Sequence, residues 1–181
     1  MTVPTHIIET SRTRIYQLRA GDAVDMHRVY GVAGAMPYVD EGKPLDLQTC
    51  ELWVQKTLQN VLSRGYGMCL CRDRENGEVI GCIGLVHPQH QEVPEIKYAL
   101  RESYRGRGLA TEMVRAMIDY GHRKHGMSRI IATVHPQNDA SVHVLSKCGF
   151  IECEPRTEDD GTITRVFELL QGEGQRNSTD Q

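Results

Sequence analysis

The apolar residues of this chain change their spacing several times, and each change marks an element. Residues 15–18, Ile-Tyr-Gln-Leu, alternate and predict a first strand. Asp22 follows as a candidate cap for a helix in which Met26, Val29 and Tyr30 share a face. Residues 31–44 are rich in Gly and Pro and read as a loop. Asp46 can cap a second helix, whose Leu47, Cys50, Val54, Leu58 and Val61 recur every three or four residues before Gly65 ends it. Residues 68–72 and 79–86 flank Asp73-Arg74-Glu75-Asn76-Gly77, where Asn-Gly signals a hairpin.

The second half has the same legibility. A strand at 95–100 leads through a glycine-rich turn into a third helix, about 109–125. One face of that helix carries Leu109, Met113, Met117 and Tyr120, the other Thr111, Glu112, Arg115, Asp119 and Arg123, and Gly126 supplies its stop. A strand at 129–134, a short helix at 139–147 stopped by Gly149, and a closing hairpin of 151–154 with 163–169 complete the pattern. Asp159-Asp160-Gly161 would turn that hairpin. Strands cluster in the middle and again at the end, so the sheet should be mixed. The strand at 95–100, the long helix and the strand at 129–134 make one right-handed parallel crossover.

Length and composition narrow the class. The 181 residues suit one domain with a sizeable core, expected over 8–170, with 1–7 and 171–181 as flexible ends. Residues 171–181 hold no apolar side chain to anchor them. A net charge of −3 gives no basic field, so nucleic acid is not an expected partner. No apolar run approaches the roughly 20 residues that span a bilayer, so no membrane partner is expected. No secretory pattern opens the chain, and six cysteines occur without a Cys-x-x-Cys pair. Reduced, mostly buried thiols and a cytosolic location are the expectation.

The segment Tyr104-Arg105-Gly106-Arg107-Gly108-Leu109-Ala110-Thr111-Glu112 carries the most chemistry. A glycine turn that feeds a helix start presents unpaired amides, the positive end of the helix dipole and room for close approach, which together suit a phosphate. Arg105 and Arg107 add full charges. A P-loop would need Gly-Lys followed by Ser or Thr, which is absent, and a dinucleotide fingerprint fails at its third glycine, where Thr111 stands.

The run Arg105-x-x-Gly108-x-Ala110 resembles the acyl-CoA signature of the GCN5-related N-acetyltransferases. Three further stretches resemble the same family in the right order. His135-Pro136-Gln137-Asn138-Asp139-Ala140-Ser141 with Lys147-Cys148-Gly149-Phe150 matches its second motif. The opening from Ile8 through Arg12 to Arg19 and Asp22, and the stretch Gly77 to Leu85, are similar to the branch of the Rim-type ribosomal-protein N-terminal acetyltransferases. The resemblance covers about residues 8 to 169.

That resemblance implies an α/β (α+β) fold, with a mixed, mostly antiparallel sheet of six to seven strands and about four flanking helices. Two middle strands splay apart to admit a pantetheine arm. It implies acetyl-CoA as co-substrate and no metal. The pyrophosphate would rest on Arg105, Gly106, Arg107, Gly108, Leu109 and Ala110, and the pantetheine on the backbone of Tyr98, Ala99 and Leu100 and on Asn138. The acceptor would be a primary amine, a peptide N-terminus or else a small molecule such as an antibiotic or polyamine; a homodimer is allowed. Glu95 stands where members carry a base acting through water, with Glu158 of the closing hairpin as an alternative. Many members have a Tyr where this chain has Leu145, and that departure leaves Ser141 as the candidate proton donor. It also leaves open a non-catalytic acyl-CoA sensor.

Other polar groups have plainer readings. His87 with His90, and His122 with His125, lack an accompanying carboxylate or cysteine cluster at a metal-site spacing and read as solvated or helix-end histidines. His87 and His135 close strands that would border the cleft, where either could relay a proton. Cys69 and Cys71 share a strand face and read as packing.

Overall fold

The computed structural model describes residues 6–33, 37–38, 42–88 and 91–172. Among these described residues nine strands form one sheet system in the order β1-β2-β3-β4-β5-β6-β9-β7, with β8 paired to β9. The strands are β1 (His6–Glu9), β2 (Thr13–Gln17), β3 (Met68–Asp73), β4 (Val79–Val86), β5 (Glu95–Leu100), β6 (Arg129–Val134), β7 (Ile151–Glu152), β8 (Arg156–Thr157) and β9 (Ile163–Leu170). Four described α-helices flank them: α1 (Ala23–Tyr30), α2 (Leu47–Arg64), α3 (Leu109–His125) and α4 (Asp139–Lys147). The architecture is the mixed, mostly antiparallel sheet expected, with more strands than the six to seven predicted. Two additions explain the count. β1 pairs with β2 from His6 onward, so residues 6 and 7, expected in a flexible end, extend the sheet edge. The first arm of the closing hairpin is broken into β7 and β8, each two residues long.

Strand alternation divides the core between two layers. On β3, Cys69 and Cys71 join the cluster beneath α3, while Leu70 joins the cluster beneath α1 and α2. On β5, Ile96 and Leu100 face the first cluster and Ala99 the second. Each fully buried aliphatic side chain in these layers contributes about 1.5–3 kcal/mol. Gly81 on β4 lies so close to β5 that a Cβ would come 2.2 Å from the Ala99 carbonyl oxygen. The backbone around the cleft strand is therefore held by contact, not only by its ladder.

Two helix expectations need correction. Asp22 precedes α1 but does not cap it; its carboxylate turns back to accept from the Arg19 amide at 2.8 Å. On α2 the cap holds, with Asp46 accepting from the Thr49 amide at 2.7 Å. The buried positions there are Cys50, Val54 and Thr57, and Leu47 is exposed.

The cleft arises between β5 and β6. These neighbours run parallel, yet their ladder holds a single register pair, Glu95 with Ile131, beside the bond from the Ile131 amide to the Pro94 carbonyl. Beyond Glu95, no strand among the described residues pairs with the β6-facing edge of β5. Both chains then leave the sheet at the open end, one into the turn before α3 and the other into the loop before α4.

Candidate active site

The open end of β5 is built from backbone. After Leu100 a single 3-10 turn, Glu102–Tyr104, buries Tyr104, whose phenol donates to Glu78 Oε2 at 2.7 Å. Arg105, Gly106, Arg107 and Gly108 then lie exposed at the surface. Gly106 and Gly108 have φ of 72° and 76°, the left-handed region that glycine enters without strain. Gly108 is also the N-cap of α3 and supplies no capping side chain, so among the described residues the first amides of this 17-residue helix have no side-chain cap. Leu109 is buried and fixes the helix start on the core, while Ala110 keeps the first turn slim. This donor set fits a pyrophosphate.

Arg12 braces that turn, a part sequence reading missed. From the β1–β2 turn its Nη1 donates to the Arg107 carbonyl at 2.7 Å. Its amide and Nε donate to the two oxygens of Glu112 at 2.9 and 2.7 Å, and Ser11 Oγ adds a bond at 3.0 Å. Burial alone would raise the Glu112 carboxyl, but hydrogen bonds from Thr10, Arg12 and Ser11 outweigh it and hold the group below its ordinary range. A cavity of ≈ 500 Å³ opens here, lined by Arg12, Gly108, Thr111 and Arg115. Arg105 Nε donates to the Leu100 carbonyl at 3.1 Å, and Arg107 lies over the Tyr104 ring at 5.4 Å. The signal for Arg12 is weak in sequence, because its partners lie about a hundred positions away.

Side chains build the closed end. Glu95 is 1% exposed. Its Oε1 pairs with Lys97 Nζ and accepts from Thr133 Oγ1, while Lys97 also donates to Thr133 at 2.9 Å. Among the described residues, Glu95 Oε2 accepts no hydrogen bond. Strand alternation puts Glu95 and Lys97 on one face, whereas no local pattern brings Thr133 of β6 to both.

Across the splay, Tyr98 OH lies 2.7 Å from Ser141 Oγ and 3.3 Å from the Ser141 carbonyl. Burial pushes the Tyr98 phenol up to about 12, partly offset by the Ser141 bond. Asn138 Oδ1 caps α4 by accepting from the Ser141 amide at 3.1 Å, which leaves Nδ2 without a described protein partner. Leu145 is fully buried one turn further along the same helix face.

The remaining candidates have other partners. His87 has both ring nitrogens engaged, Nε2 with the Tyr66 hydroxyl at 2.8 Å and Nδ1 with the Gln91 carbonyl at 2.7 Å. His90 lies outside the described residues. His122 contacts the Met127 carbonyl, and His125 packs edge-on against Tyr66 and Tyr120. His135 stacks on Tyr38 with ring centroids 4.8 Å apart. Glu158 uses its backbone to close the β8–β9 turn. Burial pushes the Cys69 thiol up to about 12 and Cys71 well above the ordinary range, so both are packing residues.

An acetyltransferase (GNAT) domain profile matches residues 12–151, from the bracing arginine to the first residue of β7. The chain belongs to the GNAT acetyltransferase family. It is 33% identical over 99 residues to an uncharacterized protein, YkkB, of Bacillus subtilis (strain 168), covering 54% of this chain and 58% of that one. It is 29% identical over 76 residues to the spermidine N(1)-acetyltransferase of Escherichia coli (strain K12), 41% of each chain. Its matches thus span about half the length of these curated relatives. The fold is shared with RimL, a ribosomal L7/L12 alpha-N-protein acetyltransferase solved with coenzyme A. The TM-score is 0.77 at 16% identity over 92% of this chain and 98% of that one. No described helix is long and apolar enough to cross a membrane.

Proposed function

We propose that this chain transfers an acetyl group from acetyl-CoA to a primary amine, and that the amine is the α-amine of a protein or peptide. One observation carries the reading: the uncapped start of α3 opens at the end of the β5 edge that β6 has abandoned. Acetyl-CoA supplies the activated acyl carbon and a sulfur leaving group. The amides of 105–110, with the Arg105 and Arg107 charges, would hold its pyrophosphate. The β5 edge at 98–100 and Asn138 Nδ2 would hold the pantetheine amides.

The chemistry falls to two groups. Glu95 takes the proton of the attacking amine, through a water and by Oε2, since Oε1 is committed to Lys97 and Thr133. Ser141 Oγ gives a proton to the departing sulfur. Lys97 also bears on the acceptor: it neutralises Glu95 on the face where the amine must arrive. A polycation would meet that ammonium, whereas a single α-amine, titrating near pH 8, deprotonates at little cost. The Rim-type likeness favours the same acceptor. The spermidine acetyltransferase relative keeps a polyamine as the second reading.

A mass-spectrometric acceptor screen with acetyl-CoA tests this, using peptides with N-terminal Ser or Ala beside spermidine and aminoglycosides. Acetylation confined to peptide α-amines is the expected result. Acetylated spermidine with untouched peptides would move the assignment to small molecules, and tight acetyl-CoA binding without CoA release would leave a sensor.

A further inference from the structure

We propose that Tyr98 is a positioning residue for the transfer: its phenol, reaching from β5 across the splay, orients and recharges the Ser141 hydroxyl. The inference rests on the reading of Ser141 as the proton donor. Two observations carry it. The Tyr98 and Ser141 hydroxyls lie 2.7 Å apart, joining the β5 edge to the first turn of α4 across the splay. The Ser141 amide is already tied to Asn138 Oδ1, so the backbone beneath the hydroxyl is fixed from a second side. Leu145 is fully buried on the same α4 face and brings no proton of its own.

When the phenol donates to Ser141 Oγ, the serine proton must point elsewhere, and a serine oxygen that accepts one hydrogen bond becomes a better donor of the next. As the C–S bond breaks, Ser141 Oγ gives up its proton to sulfur and takes the Tyr98 proton in its place. The proton that Glu95 takes from the amine is released to water, and water returns one to the phenol, so protons balance over the turnover. The raised phenol suits this duty, because it stays protonated throughout the neutral range. A latch that merely fastened α4 to the sheet would share the hydrogen bond but not this coupling.

The test is a double-mutant cycle of Tyr98→Phe and Ser141→Ala, with acetyl-CoA and whichever acceptor of the screen is turned over. Ser141→Ala should lower kcat by about 100-fold and Tyr98→Phe by about 10-fold, with KM and calorimetric Kd for acetyl-CoA within about two-fold of wild type. The double variant should be no slower than Ser141→Ala, because one residue acts through the other. A second readout needs no turnover. In ¹³C-tyrosine NMR of the protein alone, Ser141→Ala should shift the Tyr98 titration, since the serine hydroxyl is its hydrogen-bond partner. Independent effects in the double variant, an unmoved Tyr98 titration, or a Tyr98→Phe loss confined to KM and thermal stability would overturn the proposal. A slow Ser141→Ala with a full-speed Tyr98→Phe would sink this inference alone. A full-speed Ser141→Ala would sink the proton-donor reading beneath it.

Discussion

At its open end β5 runs into backbone: two left-handed glycines, a helix start without a cap, and arginines held in place by carbonyls. At its closed end it carries side chains: a buried carboxylate, an ammonium and a hydroxyl drawn from two strands. The first end suits an anion of fixed shape, because amide geometry follows from φ and ψ and needs no titration. The second suits a proton, whose transfer depends on which charges and hydroxyls surround the group. On the proposed assignment binding and chemistry are separated by one strand length, and substitutions at the two ends should separate Kd from kcat.

The largest expected effect lies at the closed end. Glu95→Gln should lower kcat by about 100- to 10,000-fold while Kd for acetyl-CoA stays near wild type. The pH–rate profile is the sharper measurement: the rising limb that belongs to the base should vanish in the variant. A variant that keeps both limb and rate would move the base to Glu158, His135 or water, and the closed end would lose its catalytic character.

Gly108→Val should strike the other parameter. A β-branched residue at φ 76° is strained, and its methyl groups would stand where phosphate must approach. Loss of two charge-assisted amide bonds corresponds to about 100-fold in Kd or more. Circular dichroism should show the fold retained, since the turn is exposed. Unchanged affinity by calorimetry would remove the anion site from this turn.

These two ends were not equally legible in the sequence. The glycine turn, the α3 stripe of Leu109, Met113 and Met117, and the Asp46 cap are encoded within a few residues, where spacing alone determines the geometry. The hydrogen bonds that qualify Glu95 and Ser141 come from Thr133 and Tyr98, 38 and 43 positions away. No local pattern encodes such meetings. Asp22 shows the converse: its spacing fits a cap, but the nearer Arg19 amide won the carboxylate. The strands of the closing hairpin were underread because β7 and β8 are two residues each, too short for a period of two to register.

Arg12→Ala probes the brace between β2 and the turn. It removes the bond to the Arg107 carbonyl and leaves Glu112 unneutralised beside the anion site, so Kd for acetyl-CoA should weaken by about 10-fold with kcat unchanged. The brace also carries a pH signature. Folding lowers the Glu112 carboxyl below its ordinary 4.5, so its stabilisation is complete above that value and is lost as pH falls through the folded-state value. Melting temperatures should therefore decline on acidification in wild type, with a shallower decline in Glu112→Gln. Identical acid profiles would detach Glu112 from the stability of the turn.

Arg107→Ala should give the smallest change, and salt is the way to see it. Its guanidinium lies over the Tyr104 ring at the surface, where charge is well screened and few protein contacts depend on it. Its attraction for a phosphate would therefore act through solvent, whereas the amides of 108–110 would act by direct contact. At low ionic strength Kd should weaken by about three- to five-fold, in line with roughly 1 kcal/mol for an exposed charge pair. Near 1 M salt, where screening extends over about 3 Å, the variant and wild type should bind alike. Calorimetric titrations at several salt concentrations measure both slopes. Curves that stay parallel up to high salt would mean that Arg107 holds the ligand by direct hydrogen bonds, and the open end would then bind by side chains as well as by backbone.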